Sequence, residues 1–158
     1  MSAMSPAERY RSLSQCYAEW DRRRDGTWVK RQPPLDWQLL ERQMLAESGG
    51  NPDAVSPVGA KGLTQFMDAT WKEWTDNEFG PTIPPNRHVS VFDPEDSIRA
   101  QADIMQWLLG VWKGDVRKSL SAYNFGLGNV RKVLDKHGDQ WEEFLPLETR
   151  AYLQRVLG

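Results

Sequence analysis

Glycine and proline divide this sequence into short segments, and that division limits the folds that the chain can adopt. The 158 residues include 12 glycines and 10 prolines. Between them lie stretches in which apolar residues recur every three or four positions, which is the spacing of one face of an α-helix. The sequence contains no convincing run of strands. We therefore predict a mainly α fold of many short helices around one core, with at most a short β-hairpin in a loop-rich middle.

The helical segments can be placed from this spacing and from their start and stop residues. Helices are predicted over residues 6–20, 37–48, 63–74, 94–112, 115–124 and 129–137, with a short turn at 141–144 and a last helix that Pro146 opens. Asp36 and Asp93 are the predicted N-caps of two of them. Residues 49–62 and the Pro-rich stretch 79–88 are predicted loops. Apolar spacing also predicts a buried face formed by Ile98, Ala102, Met105, Leu109 and Trp112.

One carboxylate, Glu47, falls on the apolar face of a predicted helix. Trp37, Leu40, Met44 and Glu47 share that face, and a pair of glycines after Ser48 predicts the end of the helix. Burial and the negative end of the helix dipole both raise the pKa of a carboxyl group. A carboxylic acid that stays protonated near neutral pH can act as a general acid. The alternative is that Glu47 is an ordinary helix-edge residue in an ion pair.

Four short motifs follow one another along the chain. They are Glu47-Ser48, Gly62-Leu63-Thr64-Gln65, Ala122-Tyr123-Asn124, and Glu148-Thr149 with Tyr152 three residues later. Together they resemble the family 1 lytic transglycosylases, which are the soluble-lytic-transglycosylase-like relatives of goose-type lysozyme. The resemblance covers roughly residues 35–156. It implies a lysozyme-like catalytic domain over residues 35–158, and we expect residues 1–34 to pack on that domain as an N-terminal helical extension.

The resemblance implies a single catalytic carboxylate, whereas most glycosidases use two. By position, Glu47 would protonate the glycosidic oxygen between N-acetylmuramic acid and N-acetylglucosamine. It would then act as the base for the C6 hydroxyl, whose intramolecular attack leaves a 1,6-anhydromuramic end and needs no positioned water. The residues that the resemblance implies for substrate binding are Ser48, Gln65, Phe66, Tyr123, Asn124 and Tyr152.

The sequence departs from the family pattern at two positions, and these leave other functions open. Thr64 replaces a usual Met, and Asp68 stands where the family often has Pro. Asp68, or Asp53 in the preceding loop, could supply a second carboxylate and make the protein a hydrolytic muramidase like goose-type lysozyme. Both residues can instead serve in turns or helix caps. A non-catalytic peptidoglycan-binding component is the remaining alternative.

Composition argues against several other classes of protein. The chain has 20 basic and 22 acidic residues without a basic patch, so we expect no nucleic-acid partner. A single cysteine, Cys16, excludes an internal disulfide. His88 and His137 form no pattern of metal ligands, and we expect neither a metal nor an organic cofactor. The expected partner is the glycan strand of peptidoglycan, bound by a monomer.

The first residues predict how the protein reaches its substrate. They contain no apolar segment of the kind found in secretory signals, and no stretch of the chain is long enough to insert into a membrane. We therefore expect a protein made in the cytoplasm that acts on the cell wall in the periplasm. A phage endolysin released through a holin, or an enzyme delivered by a virion or a secretion apparatus, fits this expectation, and a mature fragment is the third explanation.

Overall fold

The computed structural model describes residues 3–23, 25–76 and 89–158, and most of these residues are helical. The helices are α1 (Pro6–Arg9), α2 (Arg11–Glu19), α3 (Trp37–Ser48), α4 (Asp68–Thr75), α5 (Pro94–Val111), α6 (Val116–Phe125), α7 (Leu127–His137), a 3-10 helix (Gly138–Phe144) and α8 (Leu147–Leu157). Two short strands, β1 (Trp20–Arg22) and β2 (Trp28–Lys30), complete the regular elements of the described residues. The predicted fold class, mainly α with many short helices, is confirmed. The predicted loop at 79–88 lies outside the described residues.

The chain forms two compact units, and the boundary between them falls within α5. The N-terminal unit is Met1–Asp103 and the C-terminal unit is Ile104–Gly158. In the N-terminal unit, α1 and α2 pack against α3. In the C-terminal unit, α6 packs against both α7 and α8, and the 3-10 helix packs against α7.

The two strands pair as an antiparallel hairpin, with Trp20 opposite Lys30 and Arg22 opposite Trp28. The sequence prediction was wrong here, because it continued the first helix through Trp20 and allowed a hairpin only in the loop-rich middle. In the described part of the loop-rich middle, the strand pairing consists of the isolated bridges Val55–Lys61 and Lys61–Phe66. A run of charged residues masks the strand pattern in the sequence. The turn is closed locally, since the backbone N–H and the hydroxyl of Thr27 both donate to Asp25 Oδ1, at 2.9 and 2.7 Å.

A buried polar network joins the chain after the hairpin to α4 and α5. Arg31 is 3 % exposed, and its Nη2 lies 2.9 Å from Asp103 Oδ1. Its Nε donates to the carbonyl of Tyr17 at 2.6 Å. Trp74 Nε1 donates to the other carboxylate oxygen of Asp103 at 2.8 Å. The segment before α3 therefore contributes a charged side chain to the core of the N-terminal unit.

The predicted face of α5 is largely the one that the structure buries. Ile98, Ala102 and Met105 are fully buried, whereas Leu109 and Trp112 are only half-buried and Leu108 takes the inner position instead. In the C-terminal unit the buried apolar side chains are Ile104, Met105, Leu108, Leu120, Ala122, Val130, Trp141, Leu145, Tyr152, Leu153 and Val156. These residues come from every helix of the unit, as expected for short helices around a shared core.

Candidate active site

Glu47 lies in the last turn of α3, at the edge of its buried face. The helix begins after Asp36, whose side chain accepts from the backbone N–H of Gln38 at 2.9 Å, as the sequence predicted. Leu40 and Met44, which lie seven and three residues before Glu47, are fully buried, whereas Glu47 is half-buried. Glu47 is therefore anchored on a packed helix and remains partly exposed. The raised pKa expected for it stays a prediction.

The end of α3 is fixed by Ser48 and the two glycines. The Ser48 hydroxyl donates to the carbonyl of Met44 at 3.3 Å and accepts from the N–H of Gly50 at 3.2 Å. Gly49 adopts the left-handed conformation, with φ of 65°. At Gly50, a Cβ would lie 2.8 Å from Pro6 Cβ, so α1 packs directly on this turn. Ser48 thus has a role at the helix end, and its predicted contact with substrate stays a prediction.

The segment after α3 folds back on itself in tight turns. Lys61 and Phe66 exchange two backbone hydrogen bonds of 2.9 Å, and Gly62 donates to the carbonyl of Ala54 at 2.9 Å. The sequence prediction of a helix from residue 63 was therefore wrong, since α4 begins only at Asp68. Gly62 has φ of 83°, and a Cβ there would lie 2.2 Å from the carbonyl oxygen of Val91. Only glycine fits this close approach of two backbones.

Gln65 is held in a conformation that fixes the direction of its side-chain amide. Its φ of 56° is in the left-handed region, which costs free energy for a residue other than glycine. Its Nε2 donates to the carbonyls of Ala54 and Gly62, at 3.2 and 3.0 Å. Because both partners only accept, the NH₂ group must face them. Within the described residues Oε1 makes no hydrogen bond, so the half-buried amide can present an acceptor to a ligand.

Two neighbours of Gln65 belong to the core. Phe66 is 3 % exposed, and its ring centroid lies 5.5 Å from that of Trp71. Thr64 is fully buried, and its hydroxyl lies 2.8 Å from Ser97 Oγ and donates to the Ser97 carbonyl at 3.1 Å. The departure from Met at Thr64 therefore has a polar partner on α5. The predicted contact of Phe66 with substrate stays a prediction, and only a small part of its ring is accessible.

The other predicted site residues lie in the C-terminal unit. Tyr123 and Asn124 occupy the last turn of α6 and are half-buried, and Tyr152 is fully buried on α8, the helix that packs on α6. The end of α6 has a cap that the sequence did not reveal. Asn129 Nδ2 donates to the carbonyl of Phe125 at 2.8 Å, which holds the turn after Asn124. The roles predicted for Tyr123, Asn124 and Tyr152 toward substrate stay predictions.

The two aspartates considered as second carboxylates lie in turns. Asp68 is the first residue of α4, its side chain is 81 % exposed, and it pairs with Lys61 Nζ at 2.9 Å. Asp53 is exposed, and its backbone N–H donates to Asn51 Oδ1 at 3.0 Å. Neither carboxylate is sheltered from water.

Within the described part of the chain, no three His, Cys, Asp or Glu side chains gather in an arrangement that could hold a metal ion. Over the same residues, no helix is both long enough and apolar enough to cross a membrane.

Most of the chain matches the sequence model of one known family. The sequence model of the family described as Transglycosylase SLT domain matches residues 29–144, most of the chain. The chain belongs to this family. The matched residues include Arg31, Glu47 and Gln65.

Two relatives of this SLT domain are longer proteins, both membrane-bound lytic murein transglycosylases F. The membrane-bound lytic murein transglycosylase F of Haemophilus influenzae (strain PittGG) is 31% identical over 144 residues, which are 78% of this chain and 27% of that protein. Its counterpart in Pasteurella multocida (strain Pm70) is 32% identical over 135 residues, covering 75% of this chain and 25% of that protein. The SLT domain described here thus spans about a quarter of the length of these relatives.

Solved structures show a similar fold. An inactive mutant of lytic transglycosylase Slt from Pseudomonas aeruginosa, in which a glutamate is replaced by glutamine, has a TM-score of 0.67 at 33% identity, over 78% of this chain and 20% of that one. The 70-kDa soluble lytic transglycosylase of Escherichia coli has a TM-score of 0.62 at 28% identity, over 78% and 21%. A complex of the 70-kDa soluble lytic transglycosylase with bulgecin A has a TM-score of 0.64, also at 28% identity and over the same shares.

Proposed function

We propose that this SLT domain cleaves the glycan strands of peptidoglycan between N-acetylmuramic acid and N-acetylglucosamine, with Glu47 as general acid and then base, and leaves a 1,6-anhydromuramic end. The observation that carries the proposal is the position of Glu47, half-buried in the last turn of the packed helix α3. The family membership supports it. So does the inactive state of the Pseudomonas aeruginosa relative whose glutamate is replaced by glutamine.

The chemistry follows from where a carboxyl group sits on a helix. Backbone carbonyls concentrate negative partial charge at the end of α3, and this disfavours an anion at Glu47. A protonated Glu47 donates its proton to the leaving glycosidic oxygen, and the resulting carboxylate accepts the proton of the C6 hydroxyl as that hydroxyl attacks the anomeric carbon. Because the nucleophile belongs to the same sugar, the reaction needs no second protein carboxylate.

Substrate orientation is the second requirement, and Gln65 has suitable geometry for it. Its NH₂ group is engaged by two backbone carbonyls, so Oε1 is available to accept from a sugar hydroxyl or an acetamido N–H. We assign the remaining substrate contacts to Ser48, Phe66, Tyr123, Asn124 and Tyr152, which occupy the family motifs.

The hydrolytic alternative requires a carboxylate that activates water. Asp53 and Asp68 are exposed, and Asp68 is paired with Lys61 at 2.9 Å. Their positions favour roles in turns and a helix start, so we do not favour hydrolysis. The non-catalytic alternative is not favoured either, because the chain belongs to the transglycosylase family and has Glu47 at the family's motif position. A phage origin, and delivery to the periplasm by a holin, a virion or a secretion apparatus, stay proposals from the sequence.

The direct test is digestion of purified sacculi by the parent protein and by Glu47→Gln. We expect the parent to release soluble muropeptides and Glu47→Gln to release none while it keeps the thermal midpoint of the parent. Asp53→Asn and Asp68→Asn are matched controls, because each also replaces one carboxyl by an amide, and both should retain activity. Equal activity of Glu47→Gln and parent would overturn the role of Glu47. Loss of activity in an aspartate variant would favour hydrolysis.

A further inference from the structure

A second candidate binding site lies in the C-terminal unit. A cavity of about 330 Å³ opens between α6, the 3-10 helix and α8, and it is lined by Arg117, Glu142, Glu143, Arg150, Leu153 and Gln154. None of these residues belongs to the predicted substrate-binding set. The cavity therefore needs an explanation of its own.

One wall of the cavity is a fixed ion pair. Arg117 Nε and Nη2 donate to the two carboxylate oxygens of Glu142, at 2.5 and 2.8 Å. This two-bond geometry holds the 3-10 helix against α6 and occupies both charges. A ligand must therefore find its charged partners elsewhere in the cavity.

The other charged groups of the cavity are available. Arg150 and Glu143 are exposed, and neither makes an ion pair with any residue that the structure describes. Leu153, which is 2 % exposed, forms an apolar floor, and Gln154 adds an exposed amide. A guanidinium, a carboxylate and an amide around an apolar floor match a short zwitterionic peptide, which carries a carboxylate, an ammonium group and peptide bonds.

We propose that this cavity binds the peptide stems carried by peptidoglycan strands, with a stem carboxylate on Arg150 and a stem ammonium group on Glu143. The inference rests on the proposed function, because it takes peptidoglycan as the substrate. A peptide is favoured over a second segment of glycan, because a stem carries a carboxylate and an ammonium group that can pair with Arg150 and Glu143, whereas neutral sugars carry no charge.

The distance between Asn124, a proposed substrate contact, and the cavity suits such a stem. Arg117 and Asn124 are seven residues apart on α6, so they lie on the same face, about 10 Å apart along the helix axis. An extended peptide covers about 10 Å with roughly three residues. A stem on a sugar bound near Asn124 can therefore run along α6 into the cavity.

The first test measures binding without catalysis. The free tetrapeptide L-alanyl-γ-D-glutamyl-meso-diaminopimelyl-D-alanine is titrated into the parent protein, Arg150→Gln, Glu143→Gln and Arg155→Gln, with binding followed by NMR. Arg155 is the matched control, since it is an exposed arginine of the same helix outside the cavity. We expect at least about threefold weaker binding for the two cavity variants and no change for Arg155→Gln. No binding to the parent, or equal binding to all four proteins, would overturn the proposal.

The second test separates this proposal from the proposed function. Cleavage rates are compared on intact sacculi and on glycan strands from which an amidase has removed the peptides. Arg150→Gln should slow cleavage of the peptide-bearing substrate and leave the rate on stripped strands at the parent value. Equal loss on both substrates would contradict a role in stem binding. If the parent cleaves neither substrate, the proposed function fails, and the tetrapeptide titration still decides whether the cavity binds a peptide.

Discussion

Replacing Arg31 with methionine is expected to destabilise the fold strongly. The Arg31 side chain is 1 % exposed and pairs at 2.9 Å with Asp103, whose side chain is 3 % exposed. Methionine keeps much of the volume but removes the charge and all the donors. Of its side-chain hydrogen bonds within the described residues, Asp103 would then retain that from the indole N–H of Trp74, at 2.8 Å. The carboxylate would be buried without its positive partner.

The magnitude follows from the burial of this pair. Removing one partner of a buried ion pair costs about 3–5 kcal/mol. For a chain of this size, 1 kcal/mol corresponds to roughly 2–4 °C in the thermal midpoint. We therefore expect Arg31→Met to lower the midpoint by roughly 6–20 °C. The double variant Arg31→Met/Asp103→Leu should recover most of this loss, because it leaves no unpaired charge in the core.

The stability that Arg31→Met loses should also depend on pH. Burial raises the pKa of Asp103 above its ordinary value of 3.8, although the charge of Arg31 opposes this. A raised pKa means that the native state holds the proton more tightly than the unfolded chain, so stability falls as pH rises above the ordinary value. Without Arg31 the pKa rises further. The free energy of unfolding that Arg31→Met loses relative to the parent should thus be smaller near about pH 4 than near about pH 7.

Thermal and urea unfolding followed by far-UV circular dichroism measure both effects. Lys30→Met is the matched control, because Lys30 is the preceding residue, its side chain is 55% exposed, and it pairs with Glu19 at 3.6 Å. Exposed pairs contribute at most about 1 kcal/mol. The reasoning about the buried network is refuted if Arg31→Met loses no more stability than Lys30→Met. It is also refuted if the stability lost in Arg31→Met is the same at both pH values.

Two further predictions concern the turns after α3. Gly62→Ala would bring a Cβ to 2.2 Å from the Val91 carbonyl oxygen, whereas at Gly59, with φ of 91°, a Cβ meets nothing within 4 Å. Urea unfolding should show that Gly59→Ala lowers the free energy of unfolding by about 1–3 kcal/mol, from backbone strain alone, and that Gly62→Ala lowers it by more. Equal losses in the two variants would contradict the close approach of Gly62 to Val91. The carboxylate of Gln65→Glu cannot donate to the two backbone carbonyls that orient the Gln65 amide. Sacculus digestion by this variant should therefore be at least about tenfold slower. A rate equal to that of the parent would show that Gln65 does not belong to the site.

The starts of α3, α5 and α6 could be predicted because they depend on local chemistry. Asp36, Asp93 and Asp115 each accept a backbone N–H in the first turn that follows, at 2.9, 2.9 and 3.0 Å. A side chain two or three residues away makes each cap, and the sequence shows that spacing directly. The position of Glu47 beside the buried face of α3 follows from helical spacing in the same way.

The hairpin and the turn at Gly62 could not be predicted, because long-range contacts decide them. Strands of three residues are too short to show a period of two. The turn needs Gly62 against Val91, which lies 29 residues later along the chain. The turn at Gly62 in turn sets the orientation of the Gln65 amide. The spacing of the motif therefore does not reveal this orientation.

The cavity in the C-terminal unit is also invisible in the sequence. Arg117, Glu142 and Arg150 come from three separate elements, and no fixed spacing links them. In the sequence each is a charged residue on a predicted helix or turn, which is typical of a solvated surface. Only the packing of α6 and α8 brings them to one cavity.

The most direct test of the central claim is mass spectrometry of the muropeptides released from sacculi in water enriched in heavy oxygen. If Glu47 directs the C6 hydroxyl to the anomeric carbon, the muramic ends are anhydro ends, lighter by one water than reducing ends, and carry no heavy oxygen. Reducing muramic ends labelled with heavy oxygen would contradict the account, because they would show that water is the nucleophile.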